Sequence, residues 1–265
     1  MHIVLTGGHS GIGLELAKRL AGEGHRLGLV VRNPSRLDGL PAGVRQSVGF
    51  TSWSADLSSP DDVNAVGEAI VSDWGSVDVL FNNAGVLLPE LRRSGAGREL
   101  HLEVNTLAPV GLMRALQPAL EAAEAPIVVN TATGNMHATP LELDQLTNPK
   151  VFRKLFGQYL QSKVALTLWM NAIAAESEWR GVAIRSVNPG ANKTVMTASD
   201  GVPWYIRMLR SLLFSAPTKG ANLLHQAVFD PQLGRRSGLF LDEGTVRETP
   251  ALGADDRETL EALLQ

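Results

Sequence analysis

The chain has no cysteine, which excludes disulfides, thiolate chemistry and cysteine-ligated metal centres. It also has no apolar run long enough to cross a bilayer. Neither charge dominates: 24 Lys and Arg stand against 27 Asp and Glu, for a formal net charge of −3. That balance gives no reason to expect nucleic acid as a partner. The six histidines show no metal-ligand spacing, so no metal is expected and most of them are expected at scattered surface or turn positions. Repeats, low-complexity tracts and Pro/Gly/Ser-rich linkers are missing too. The 265 residues are therefore expected to form a single domain, 1–265, of ordinary composition with 44% hydrophobic and 19% charged residues. The first strand begins near residue 2, so no signal peptide is expected and the cytoplasm is the expected compartment.

What the chain does have is concentrated at residues 6–13, Thr-Gly-Gly-His-Ser-Gly-Ile-Gly. The apolar run Ile3-Val4-Leu5 precedes it, and Leu14, Leu16, Ala17 and Leu20 continue at helical spacing. Gly7, Gly11 and Gly13 let the backbone turn sharply and approach a ligand closely. The following helix aims its free N–H groups and positive dipole end at whatever the loop holds, which suits a pyrophosphate. Between a strand and a helix, this loop predicts a dinucleotide site at Gly7, His9, Ser10, Gly11, Ile12 and Gly13.

Strand-like runs recur at 2–6, 26–31, 48–53, 77–82, 125–131, 182–188 and 237–241. Helix-like stretches lie between them at 11–23, 60–74, 98–123, 151–179 and 217–230. This alternation predicts an α/β Rossmann-type fold, a doubly wound parallel sheet of about seven strands with helices on both faces. Near-continuous runs such as Ile127-Val128-Val129 fit strands buried on both sides.

Three further motifs carry chemistry. Val77 to Phe81 ends in Asn82-Asn83-Ala84-Gly85, small residues and carboxamides where ligands bind in open α/β sheets. Tyr159 and Lys163 stand one helical turn apart and share a face, although Tyr-x-x-x-Lys by itself often marks only a solvated surface. Asn188-Pro189-Gly190 closes the sixth strand, with Thr194 in the loop beyond. In order and spacing, these motifs resemble the short-chain dehydrogenase/reductase family over nearly the whole chain. Within it the layout is most like the retinol-dehydrogenase-like and carbonyl-reductase-like members, given the long segment before Tyr159 and the Ser-Gly-Leu-Phe-Leu-Asp stretch from Ser237.

The resemblance implies an oxidoreductase moving a hydride between a nicotinamide and a carbonyl or alcohol substrate. The residues fit that chemistry. A tyrosine titrates near ~10, too high for easy proton exchange at neutral pH, and a nearby ammonium favours the phenolate. Tyr159 is thus the expected proton donor and acceptor. Lys163 is expected to lower its pKa and, by resemblance, to bind the nicotinamide ribose. The family's substrate-orienting serine aligns here with Thr133, which keeps the hydroxyl but adds a methyl that narrows rotamer and pocket. Asn105 matches the family asparagine that holds a water for proton relay. By the same resemblance Asn83, Ala84, Gly85, Pro189, Gly190 and Thr194 line the cofactor cleft, and Asp56 with Leu57 contacts adenine.

Cofactor choice turns on the end of the second strand, where Leu29-Val30-Val31 is followed by Arg32-Asn33 and no carboxylate. Arg32 can fork onto a 2′-phosphate, so NADP(H) is expected over NAD(H). Apolar Trp204, Tyr205, Ile206, Met208, Leu209, Leu212, Leu213 and Phe214 fall in a segment, about 192–216, expected to act as a substrate lid. Helix packing or a membrane- or partner-touching face are the other readings. From the lid an apolar substrate is expected, with His137 near it. Family habit implies a homodimer or homotetramer. A catalytically silent NAD(P)-binding sensor on the same fold is the alternative function.

Overall fold

A computed structural model describes residues 1–134, 138–209 and 214–264 of the chain. Strand β1 (His2–Thr6) delivers the backbone into the glycine loop and helix α1 (Gly11–Gly22). Strands β2 (Arg26–Val31) and β3 (Thr51–Ser54) follow on one side. Helix α2 (Pro60–Trp74) then carries the chain back across β1 to β4 (Val79–Asn82). Beyond it come helix α3 (Ala108–Ala115), β5 (Ile127–Thr131), helix α4 (Gln158–Ile173), β6 (Ala183–Asn188), helix α5 (Pro217–Phe229), β7 (Leu239–Asp242), β8 (Thr245–Arg247) and helix α6 (Ala254–Ala262).

The sheet order is β3-β2-β1-β4-β5-β6-β7-β8. Every pairing is parallel except β7 with β8. Both faces are covered. Val4, Leu80 and Val128 join one hydrophobic cluster, while Ile3, Leu5, Val79, Phe81 and Val129 join the other. Strand residues alternate between the faces, so burying both turns the strands into unbroken apolar runs.

Local signals set the elements. Helix α2 starts where Ser59 accepts the Asp62 N–H at 3.2 Å, with Pro60 in its first turn. Asp61 and Asp62 there favour the dipole. It buries Val63, Val66, Gly67, Ile70 and Trp74, and stops at Gly75 in the left-handed region, φ 67°.

The structure corrects the sequence reading in several places. The sheet has eight strands, because β8 is a three-residue exposed edge with no buried face to leave a hydrophobic pattern. The third strand starts at Thr51 and not at residue 48. The stretch at 98–123 is not one helix. It runs through Leu100–Leu102, a π turn at Glu103–Leu107, α3 and Gln117–Glu121. Pro109 and Pro118 lack the N–H that a continuous helix needs. The stretch at 151–179 becomes helical only at Gln158. Before it, Gln158 turns back to donate to Val151 O at 2.7 Å and accept from Arg153 N at 3.1 Å, and Leu155 takes φ 55°. His101 and His225 are buried, so these two depart from the surface or turn positions expected for most of the histidines.

Helix α4 is enclosed almost all round, with Gln161 through Met170 buried. Helix α6, which no sequence signal announced, supplies part of that cover. Its Leu260 is wholly buried, and Glu261 accepts from Arg114 on α3 at 2.6 Å and from Trp169 Nε1 on α4 at 2.8 Å. Among the described residues no helix is long and apolar enough to cross a membrane. Glu261→Ala should strip both hydrogen bonds and lower unfolding stability by about 1–3 kcal/mol, read as a lower urea midpoint at unchanged slope.

Candidate functional site

The sheet changes winding direction between β1 and β4, and at such a switch point parallel α/β sheets open a crevice at their strand C-termini. Here it is a cavity of about 760 Å³. Thr6, the last residue of β1, holds its two sides together. Its Oγ1 accepts the N–H groups of Asn83 at 3.0 Å and Ala84 at 2.9 Å, and Asn83 Nδ2 donates back to Thr6 O at 3.1 Å. A Cβ on Gly13 would fall 2.3 Å from Gly7 O and 2.6 Å from Asn83 Nδ2. The glycine loop is thus pressed onto the Asn-Asn-Ala-Gly segment with no room for a side chain. Gly7 and Gly11 take φ 70° and 55°, which glycine alone adopts cheaply.

One end of the cavity is built for an anion. Ser10, the N-cap of α1, makes no side-chain cap bond, and no acidic residue lies in the first turn. The helix end therefore presents its positive pole to the cleft. His9 lies against it with a buried Nδ1 that lacks a hydrogen-bond partner. Burial first, then the charges of Arg36 and Arg32, push the His9 pKa down. The sequence reading found Arg32 but not Arg36. Asn33 accepts the Ser35 N–H at 3.0 Å and so caps the short turn that carries Arg36 to the cavity. Asp56 and Leu57 line the same region, with Asp56 Oδ1 held by Ser58 N–H and hydroxyl at 2.9 and 2.7 Å. These features fit a dinucleotide whose pyrophosphate meets the α1 N-terminus.

The other end gathers the reactive groups. Tyr159 and Lys163, on the first turns of α4, both face the cavity, as do Thr131 and Thr133 at the exit of β5. Lys163 Nζ donates to Thr131 O at 2.8 Å. Burial pushes the Tyr159 phenol up to about 12 and the Lys163 ammonium down to about 8. Both groups are thereby driven toward neutrality. In the protein alone, burial thus favours the protonated phenol. Asn105 sits under the cavity in the π turn, a break that recurs at functional sites. Its Oδ1 accepts from Val86 N at 2.8 Å, and its Nδ2 donates to Val86 O at 3.0 Å and Ser162 Oγ at 3.1 Å.

The cleft thus brings together the sequence-chosen residues Gly7, His9, Ser10, Gly11, Ile12, Gly13, Arg32, Asp56, Leu57, Asn83, Ala84, Gly85, Thr133, Tyr159, Lys163, Pro189, Gly190 and Thr194. Asn105 stands just behind them. Sequence reasoning missed the seam role of Thr6, the approach of Arg36 and the Asn105–Ser162 hydrogen bond. The first two had a usable signal, a hydroxyl residue opening the glycine loop and a second arginine after β2. His137 lies outside the described residues, as do Leu212 and Leu213. The 192–216 segment is split in its behaviour. Thr194, Met196, Thr197 and Phe214 line the cavity, whereas Trp204, Tyr205, Met208 and Leu209 are exposed.

A doubly wound cleft that fits a dinucleotide, with a tyrosine and a lysine at its reactive end, defines a class of nicotinamide-dependent oxidoreductases. The chain belongs to the short chain dehydrogenase family, whose profile matches residues 1–143. It is 29% identical over 261 residues to human dehydrogenase/reductase SDR family member 13, covering 96% of this chain and 69% of that protein. Against human retinol dehydrogenase 11 the figures are 26% over 230 residues, with 85% and 72% covered. The fold matches a short chain dehydrogenase from Burkholderia cenocepacia J2315 solved in complex with NADP, with TM-score 0.71 and 23% identity over 91% of this chain and 95% of that one. The protein is an enzyme acting on CH–OH or C=O groups, which sets aside the catalytically silent reading.

Gly13→Ala tests the packing of the cleft. The added methyl has no space, and a ~1–3 kcal/mol penalty predicts roughly five- to 150-fold weaker dinucleotide binding by fluorescence titration.

Proposed function

We propose that the protein is an NADPH-dependent carbonyl reductase or alcohol dehydrogenase for apolar substrates, with Tyr159 as general acid and base. The observation that carries this is the placement of Tyr159, Lys163 and Thr133 around the reactive end of the cleft whose other end is the glycine loop. A nicotinamide dinucleotide bound along that cleft would supply the hydride. The chain supplies the rest. Thr133 offers a hydroxyl to hold the substrate oxygen, and Tyr159 exchanges the proton on that oxygen. Lys163, fixed on Thr131 O, provides positive charge that favours the phenolate and a donor for the ribose. Asn105 fixes Val86 and Ser162 and keeps one lone pair of its carbonyl oxygen for a relay water.

Cofactor preference rests on charge. No carboxylate follows β2, while Arg32, Arg36 and His9 surround the region beyond it. A 2′-phosphate meets two guanidinium groups there instead of repulsion. Substrate class rests on the wall near Tyr159, where Val86, Leu100, Val104, Leu155, Met196 and Phe214 face the cavity. That surface suits a long apolar alcohol or aldehyde, and one of the relatives, retinol dehydrogenase 11, is named for retinol. The 192–216 segment, which contributes Met196 and Phe214, acts as the lid.

Tyr159→Phe should abolish reduction of apolar aldehydes such as decanal and retinal while NADPH still binds; undiminished turnover would remove the phenol from the mechanism. In the wild type, alcohol oxidation should rise with pH as phenolate forms, because burial holds the phenol protonated at neutral pH.

Arg32→Ala should raise KM for NADPH about tenfold or more and leave KM for NADH nearly unchanged, the signature of a lost charge-assisted phosphate contact. Equal losses with both cofactors would assign Arg32 to the shared adenosine half.

A further inference from the structure

One buried titratable pair plays no part in the chemistry above. Glu99 and His101 are both wholly buried, on the short helical run that leads into the π turn of Asn105. Glu99 is the N-cap of that run. Its Oε2 accepts the Leu102 N–H at 2.9 Å, and its Oε1 lies 2.7 Å from His101 Nδ1. On the other side of the ring, the Leu88 N–H donates to His101 Nε2 at 3.0 Å. A backbone N–H can only donate, so Nε2 carries the lone pair and Nδ1 carries the proton given to Glu99. The carboxylate therefore fixes both the tautomer and the plane of the imidazole.

That ring has two further neighbours. Phe152 stacks on it at 6.2 Å between centroids and 25° between planes. Tyr159 meets it edge to face at 6.2 Å and 77°, a geometry that aromatic pairs favour. Asn105, four residues on, holds Val86 by both its N–H and its C=O. Two side chains of one helical segment thus fasten alternate residues of the chain leaving β4. Asn105 secures Val86, which faces the cavity, and His101 secures Leu88 while bracing the Tyr159 ring.

We infer that His101, oriented by Glu99, is a positioning residue that fixes both the Tyr159 ring and, through Leu88, the segment that carries the cavity-lining Val86. The inference rests on the proposed role of Tyr159. It predicts that the two contacts separate in the kinetics. His101→Gln keeps a carbonyl oxygen for the Leu88 N–H and an amide donor for Glu99, but leaves no ring against Tyr159. His101→Phe keeps the ring and removes the acceptor.

The test measures decanal reduction with NADPH, NADPH affinity by fluorescence, and hydrogen exchange at the Leu88 amide, with the Val86 amide as internal reference. His101→Gln should lower kcat about ten- to hundredfold at near-native KM, the scale of a misplaced catalytic group. His101→Phe should raise KM for decanal and speed exchange at Leu88 but not at Val86, with kcat less affected. NADPH affinity should hold in both. Native kinetics in both variants overturns the inference. So does the same loss in both, or lost NADPH binding or failure to fold in both, which would assign His101 to fold support alone. Tyr159→Phe, run alongside, separates the two claims. If it is inactive while both His101 variants match wild type, only this inference fails; if it is active, the reading of Tyr159 fails.

Discussion

The seam between β1 and β4 is the constraint on which the site depends. A parallel sheet that winds outward in both directions from one pair of strands leaves their C-terminal ends uncovered, because the connecting helices depart to opposite faces. Something must hold the diverging segments together there. Thr6 does so with one hydroxyl that accepts two backbone N–H groups from the β4 exit and donates toward Phe81 O at 3.3 Å. The absence of a side chain at Gly13 lets the glycine loop close onto Asn83. Fix that seam and the α1 N-terminus, the Asn-Asn-Ala-Gly segment and Gly85 fall into place. A Cβ on Gly85 would already lie 3.0 Å from Asn105 Oδ1 and 3.5 Å from Lys163 Nζ, so the seam reaches the reactive end of the cleft.

The fold's outline was legible in the sequence because burial on both sheet faces writes itself as unbroken apolar strands separated by amphipathic helices. The same logic explains what was hidden. Strand β8 has no buried face, and helix α6 is mostly charged with Leu260 as its one fully buried side chain, so neither leaves a periodic trace. The glycine loop, Asn83, Tyr159 and Lys163 were legible because their chemistry demands particular residues at particular spacings. Asn105 was found by the register of a motif, but the π turn that presents it follows from Pro109 and was not foreseen. His101 escaped for a different reason. Its partner Glu99 is two residues away, a spacing that no helix-face pattern pairs, and its other contacts come from Leu88, Phe152 and Tyr159. Only the assembled fold brings them together.

Desolvation sets the character of the reactive end. In the protein alone it moves the phenol and the ammonium in opposite directions, to about 12 and about 8, and so inverts their usual order of acidity. A pocket that penalises charge this strongly would ordinarily expel an ammonium, yet Lys163 stays, held by the Thr131 carbonyl. The fold thus maintains a cation beside a phenol that resists ionisation. Added positive charge near the ring would act on the phenol with little water to screen it. The surrounding hydrogen bonds then serve geometry first. Those of Asn105 hold the Val86 wall, and that of Lys163 holds the ammonium at the β5 exit, on the cavity that Thr133 and Tyr159 also line.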